Sequence, residues 1–367
     1  WLQTYTVNKR FPLTISRGTT SQTTNVWVRV EEEGSEGWGE GCPFSVGEHP
    51  QTTEAIAQAL QQVAPKLEKF SPLQRQEIEE VLTADLLPSA AWAAIDMALH
   101  DWLGKRVGLP LWRLWGLDRN RIVPISVTVG ISSPAEAQQR VRNWRQVTDT
   151  HFLKVKLGNS SGIEADQAML MAVREEAPEA KLSVDANGGW DLEDAVTMCS
   201  WLAKLGVKYV EQPLRREREV SHHAPLRELY QRSPLPIFVD ESCFTSRDIP
   251  HLCDRVHGIN IKLMKSGGLT EALRMVYTAK ACGLQVMFGC YSDSVLANTA
   301  ASHLSPLADY LDLDSHLNLS DDPFKGAELQ NGRLLPNDLP GLGVWREEEG
   351  AEGAEEAEED KGDKADL

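Results

Sequence analysis

The chain has 367 residues, 41% of them hydrophobic, and a formal net charge of −17. That length supports a large core and suggests one big domain with a smaller companion. No apolar run approaches the ~18 residues of a membrane span, and no basic stripe for nucleic acid is present.

The six cysteines (Cys42, Cys199, Cys243, Cys253, Cys282 and Cys290) form no CxxC pair. They read as reduced thiols, and with no legible leader the expected location is cytoplasmic. Much of the charge is local. From Arg346 onward, eleven acidic residues accompany three basic ones. This tail, 346–367, has no large apolar residue before its last position and is expected to be disordered.

In chain order, "NVWVRVEEEGSEGWGEG" (25–41) reads as two strands and a turn, and helical stretches follow at 51–69 and 89–106. Residues 1–117 are therefore expected to form an α+β unit that caps the rest. Between 118 and 317 short apolar runs recur: "IVPISVTVG" (122–130), "FLKVKLG" (152–158), "KLSVDAN" (181–187), "VKYVEQ" (207–212), "PIFVDES" (236–242), "GINIKLM" (258–264), "LQVMFG" (284–289) and "DYLDLD" (309–314). Their spacing of about 20–30 residues is that of one βα unit. The intervening segments carry helix punctuation. Ser133 and Pro134 open one, and Asp191 opens another that stops at Gly206. Eight strands with helices in the seven gaps predict a parallel barrel with its chemistry at the strands' C-terminal ends. A doubly wound sheet would bring a Gly-rich phosphate loop after its first strand, and none is seen. The Gly- and Pro-rich segment 318–345 is expected to return to the cap.

Charges cluster near the strand ends. Asp185, Glu211 and Asp240 end three adjacent strands. Three converging carboxylates repel unless a cation lies among them, and hard oxygen donors without Cys or His point to Mg²⁺, with Mn²⁺ as the alternative ion. The competing reading is separate salt bridges to barrel lysines. Lys156 on strand two and Lys262 on strand six are four strands apart, hence opposite in an eight-stranded barrel. They would flank a ligand held at the metal. Asp312 and Asp314, two residues apart, share a face of strand eight. Across the mouth from the metal, they could receive a ligand's ammonium; otherwise they cap a helix or bind a neighbouring loop.

"KVK", "VDANGGW", "VEQP", "VDES" and "IKLMKSGG" together resemble the muconate-lactonizing-enzyme subgroup of the enolase superfamily. The resemblance runs from "GWGEG" through "AAIDMALHDWLGKRVGLPLWRLWG" to strand eight. It implies a (β/α)7β modified TIM barrel with an N-terminal α+β capping domain. It also implies Lys-and-Mg²⁺ chemistry on a proton α to a carboxylate. Within the subgroup, "DLD" resembles the dipeptide epimerases, where the pair holds the substrate's α-ammonium. "ISRGT" resembles the alanyl-glutamate type, which implies that Arg17 meets the glutamate side chain. Thr128 matches a substrate-contacting threonine. The activity so implied is epimerisation of L-Ala-L-Glu by Lys156 and Lys262. Lys154 would lie by the substrate and lower a catalytic lysine's pKa, the 15–25 loop would close the mouth, and Lys265 would bond to the metal carboxylates from behind. A role in recycling cell-wall peptides would follow.

Two departures stand out. "GCYSDS" carries Asp293 where a Glu is more frequent and Tyr291 where a Met is usual, which would alter the pocket floor. "RREREVSHH" (215–223) is longer and more charged than the subgroup's pattern. A cycloisomerase, an o-succinylbenzoate synthase or an N-acylamino acid racemase would leave Asp312 and Asp314 without a cation, and a non-catalytic scaffold would not need the intact set. The expected partner is a small dipeptide, with neither nucleic acid nor membrane; a homo-oligomer is compatible with the sequence.

Overall fold

The computed structural model describes residues 1–46, 50–216 and 224–346. The tail beyond Arg346 and residues 217–223 of the charged stretch lie outside the described residues.

The cap opens with three antiparallel strands, β1 (Leu2–Ile15), β2 (Gly18–Glu32) and β3 (Ser35–Gly41), in that order. The sequence reading anticipates only the latter two. β1 is an edge strand whose residues are mostly half-buried or exposed, so its alternation carries little apolar signal. Three helices follow: α1 (Thr53–Leu67), α2 (Arg75–Ala84) and α3 (Ser89–Val107). α2 is also unanticipated, because its buried pair, Ile78 and Leu82, makes too short a stripe. The residues 15–25 form the tip of the β1–β2 hairpin and the start of β2 rather than an irregular loop.

Glycine lets α3 lie directly on β3. A Cβ at Gly37 would fall 2.0 Å from the carbonyl oxygen of Ala98, and one at Gly39 would fall 1.9 Å from that of Ala94. Any side chain there would push the helix off the sheet, which accounts for the glycines of "GWGEG".

A short helix, α4 (Leu111–Leu114), leads into the barrel. Its strands are β4 (Val127–Val129), β5 (Phe152–Lys156), β6 (Lys181–Asp185), β7 (Val210–Glu211), β8 (Ile237–Val239), β9 (Gly258–Ile261), β10 (Gln285–Gly289) and β11 (Tyr310–Asp312). They pair in parallel and in chain order. Ser126 N donates to Leu311 O at 2.8 Å, and a parallel bridge from Ile125 to Leu311 closes the ring. The outer helices are α5 (Pro134–Arg145), α6 (Ile163–Glu176), α7 (Leu192–Lys204), α8 (Ala224–Arg232), α9 (Leu263–Ser266), α10 (Leu269–Ala281) and α11 (Val295–Ser302). Ser133 and Glu136 form a capping box on α5, and Asp191 caps α7 through Asp194 N at 2.9 Å. One expectation fails. The gap between β8 and β9 holds only a 3₁₀ turn, Ile249–His251, among the described residues. Pro250 there lacks the N–H that a continuing helix needs.

After β11 the chain returns to the cap. Asp321 Oδ1 accepts from Asn8 N at 2.7 Å, and Asn318 Nδ2 donates to Phe11 O at 2.8 Å. Fully buried Asp101 on α3 accepts from Trp38 N at 2.8 Å and Leu342 N at 2.7 Å, binding helix, cap sheet and returning segment together. Among the described residues no helix is long and apolar enough to cross a membrane.

Glu40 on β3 sits at the seam between cap and barrel. It accepts from Trp27 Nε1 at 2.9 Å and Ser294 N at 2.8 Å, and shares a further hydrogen bond with the Ser294 hydroxyl, which begins α11. Burial, then the nearby Asp293 charge, pushes its carboxyl from near 4.5 up to about 8. The folded chain thus keeps a proton that the unfolded chain releases above its ordinary pKa. This contribution is complete below the unfolded value and is lost as pH rises toward 8, by at most about 1.4 kcal/mol per unit. Glu40→Gln should flatten the decline in melting temperature between pH 5 and 8, measured by thermal melts at half-unit steps. An unchanged slope would place the titration elsewhere.

Candidate functional site

The two-residue period of the strands builds the site from its floor upward. Inside the barrel Phe152, Tyr209, Phe238 and Met287 form an apolar cluster, with Tyr310 packed against it. Two residues further along the same runs come Lys154, Glu211, Asp240, Gly289 and Asp312. One more step reaches Lys156 and Asp314. An apolar plug thus changes within one layer to charge, at the C-terminal ends of the strands and under the cap.

The acids are deeply buried, with Asp185 and Glu211 at 0% and Asp240 at 1% exposure. Lys156 and Asp185 are register partners on neighbouring strands, as are Asp185 and Glu211. Lys156 Nζ lies 2.6 Å from Asp185 Oδ2, and Lys262 Nζ lies 2.9 Å from Asp240 Oδ2. Lys156 and Lys262 therefore pair with different outer acids. Lys265 Nζ donates to Asp240 Oδ1 at 2.6 Å, to Asp240 O at 2.5 Å and to Asn260 O at 3.0 Å. Asn260 Nδ2 donates to Glu211 Oε1 at 2.8 Å.

Lys154 lies among carboxylates of three strands. It is fully buried, 2.6 Å from Asp312 Oδ2, 2.7 Å from Glu211 Oε2 and 3.4 Å from Asp185 Oδ2. Its ammonium is ringed by three carboxylates, and its hydrogen bond goes to Asp312. It joins the acids of β6 and β7 to the acid of β11.

The charges set the protonation. Burial alone would raise Asp185, but Lys156 and Lys154 hold it below its ordinary value, and Lys262 and Lys265 hold Asp240 well below. Glu211 goes the other way, up to about 7, from burial and then the charge of Asp185. Burial alone would lower Lys262, but Asp240 keeps it well above its usual value. Asp314 is pushed up to about 6 by burial and then by Asp312, whereas Lys154 holds Asp312 down against burial.

A cavity of about 50 Å³ opens beside these groups, lined among others by Thr128, Lys156, Tyr291, Asp312 and Asp314. Asp314 Oδ2 accepts from Thr128 N at 2.7 Å, and Ser126 Oγ donates to Asp312 at 3.1 Å. Larger clefts of about 740 and 700 Å³ lie within the cap and between cap and barrel, but neither reaches Lys156 or Lys262. The hairpin tip lies over the mouth. Arg17 Nη1 is 2.7 Å from Glu241 Oε1 and donates to Asn187 O at 3.2 Å, where Ser16 Oγ also donates. Asp293 is buried behind Tyr291, whose N–H reaches it at 3.3 Å, and burial pushes its carboxyl up to about 6.

Comparison with known proteins is consistent along the chain. Residues 2–116 match the mandelate racemase / muconate lactonizing enzyme N-terminal domain, and residues 135–349 match the enolase C-terminal domain-like family. The chain belongs to the mandelate racemase / muconate lactonizing enzyme family. It is 44% identical to a hydrophobic dipeptide epimerase of Flavobacteria bacterium (strain MS024-2A), covering 94% of this chain and 97% of that one. It is 38% identical to the L-Ala-D/L-Glu epimerase of Bacteroides thetaiotaomicron, over 93% and 86% of the two chains. The dipeptide epimerase from Cytophaga hutchinsonii, solved in complex with Mg and D-Ala-L-Val, superposes with a TM-score of 0.87 at 28% identity over 96% of both chains.

In this family member, no three acidic, imidazole or thiol groups of the described residues converge, as they stand, closely enough to hold an ion. Two barrel lysines bridge to the outer acids instead. The donor set nevertheless fits a hard divalent cation: three carboxylates on adjacent strand ends, with no soft donor among them. Glu211 Oε2 makes no well-aligned hydrogen bond although Lys154 is 2.7 Å away, and Glu211 is raised first by burial and then by the charge of Asp185, the second of which a cation offsets.

Sequence reading overlooks Asn187, Glu241, Ser126 and Asn260. Asn260 and Ser126 were accessible through parity, since they stand two residues before Lys262 and Thr128 on the same strand faces. Asn187 and Glu241 sit in the turns after Asp185 and Asp240, where parity ends.

Proposed function

We propose that this chain inverts the α-carbon of a dipeptide's C-terminal residue by two-lysine proton transfer. The observation that carries the reading is the placement of Lys156 and Lys262, each bonded to a different outer acid and four strands apart in a closed ring of eight. A ligand carboxylate over the acids has one amine on each side. One lysine removes the α-proton while the other protonates the opposite face, and the roles exchange with the configuration of the substrate. Asp185, Glu211 and Asp240 would hold a divalent cation, magnesium in the first instance, whose charge would offset that developing on the substrate carboxylate. Asp314 and Asp312 would receive the free α-ammonium, and Thr128 N–H fixes the Asp314 carboxylate for that contact. Asp293 would shape the pocket floor, and Lys265 would hold Asp240 in place.

Arg17 separates two substrate readings. Engagement with a substrate glutamate would require it to exchange Glu241 for the ligand, and a role in recycling cell-wall peptides in the cytoplasm would follow. Its existing pair with Glu241, at 2.7 Å, favours a second residue without negative charge.

A dipeptide library in D₂O with Mg²⁺ or Mn²⁺ tests the function. Deuterium should enter only at the α-carbon of the C-terminal residue, and the preferred side chain decides between the Arg17 readings. Saturating metal at about 100 times its Kd should stabilise the fold by about 2.7 kcal/mol. Stabilisation without exchange would point to another reaction of the family, and no stabilisation would favour a non-catalytic barrel.

A further inference from the structure

Tyr291 has a role that the lysines and acids leave open. Its ring stacks on Phe44 of the cap, with centroids 4.6 Å apart and planes 5° from parallel. The other contact is cationic: Lys262 Nζ lies 4.3 Å from the ring centroid. The side chain is therefore fixed between the cap and a proposed catalytic amine. Its hydroxyl oxygen is shut off from solvent and has no hydrogen-bond partner among the described residues. A buried phenol without a partner is unfavourable, so this atom is suited to a partner that arrives with a ligand.

Its position indicates which group that is. Tyr291 follows β10, which lies between β9, leading to Lys262, and β11, carrying Asp312. It lines the same cavity as Lys156, Asp312 and Asp314. A dipeptide with its carboxylate over the acids of β6, β7 and β8 and its ammonium at β11 would span the mouth, with its amide between those ends in the cavity that Tyr291 helps to line. Whatever its side chains, every dipeptide has one carbonyl acceptor between those two ends. We infer that Tyr291 donates its hydroxyl hydrogen bond to the substrate's peptide carbonyl. Burial, then the charge of Asp240, keeps the phenol well above its usual pKa, so it remains a donor at neutral pH. The inference rests on the dipeptide reading.

Tyr291→Phe retains the stack on Phe44 and the platform for Lys262 while removing only the oxygen. For the best dipeptide of the library, KM should rise about tenfold with kcat nearly unchanged, the pattern of a lost uniform contact. Thermal stability should not fall, because the free protein gives the hydroxyl no partner. A second measurement isolates the carbonyl. Dipeptide isosteres with the amide replaced by ketomethylene (COCH₂) or by ethylene (CH₂CH₂) serve as competitive inhibitors. Wild type should prefer ketomethylene about tenfold, and Tyr291→Phe should lose that preference. Equal preference in both proteins, or an unchanged KM, overturns the inference while leaving the epimerase reading intact. Absence of exchange with every dipeptide in wild type overturns that reading first. A fall in melting temperature with unchanged KM would mark Tyr291 as a packing residue only.

Discussion

Alanine at Lys156 or at Lys262 should reduce epimerisation by about 10³-fold, within the range for removing a positioned acid or base. The informative outcome is what survives. Each variant retains one amine on one side of the acids, so each should still exchange the α-proton of one epimer with solvent without inverting it. The two variants should exchange opposite epimers. Proton NMR of each pure epimer in D₂O reads this directly. Exchange of the same epimer by both would mean that the amines reach one face, and the two-sided scheme would fail. Metal-dependent stabilisation should persist in both, because all three carboxylates remain although each variant loses one ammonium partner of them. Asp185 also keeps Lys154 at 3.4 Å when Lys156 is removed.

Why so much of this was legible in the sequence is itself physical. A βα repeat imposes a spacing, and parallel strands impose a two-residue face period, so the barrel and its charged rim appear as a rhythm with acids and lysines at fixed beats. α7 was readable from its Asp191 cap to Gly206 because capping is local chemistry. β1 and α2 were not, since each buries too few apolar side chains to outweigh its polar ones. The gap after β8 misled because spacing alone cannot distinguish a helix from a 3₁₀ turn of similar reach. Within the site, residue types were visible but partners were not. Nothing in "FLKVKLG" reveals that Lys154 turns toward Asp312 on a strand 158 residues away while Lys156, one step higher, reaches the cavity. Arg17 shows the same limit. The segment that carries it was read as a loop, not as the turn of a hairpin, and its pairing with Glu241 depends on how the cap docks on the barrel.

Lys154→Met should be the most destabilising substitution in the site. Methionine conserves length and apolar volume, so packing changes little. The lost ammonium leaves Asp312, Glu211 and Asp185 buried around an uncompensated point. Breaking such a cluster on one side costs about 3–5 kcal/mol, readable by urea denaturation at pH 7. The sign of the pH dependence follows from the same contacts. In wild type Lys154 contributes to holding Asp185 and Asp312 below their ordinary values, a contribution present above the unfolded pKa and lost as pH falls through the folded one. Without the lysine that contribution is lost and the acids prefer protons. The gap between variant and wild type should therefore be widest near neutrality and close as the medium becomes acidic. A divalent cation restores positive charge near the same carboxylates, so added Mg²⁺ should stabilise the variant more than wild type. Equal stability of the two proteins at pH 7, with identical responses to magnesium, would show that the buried ammonium does not hold these acids together.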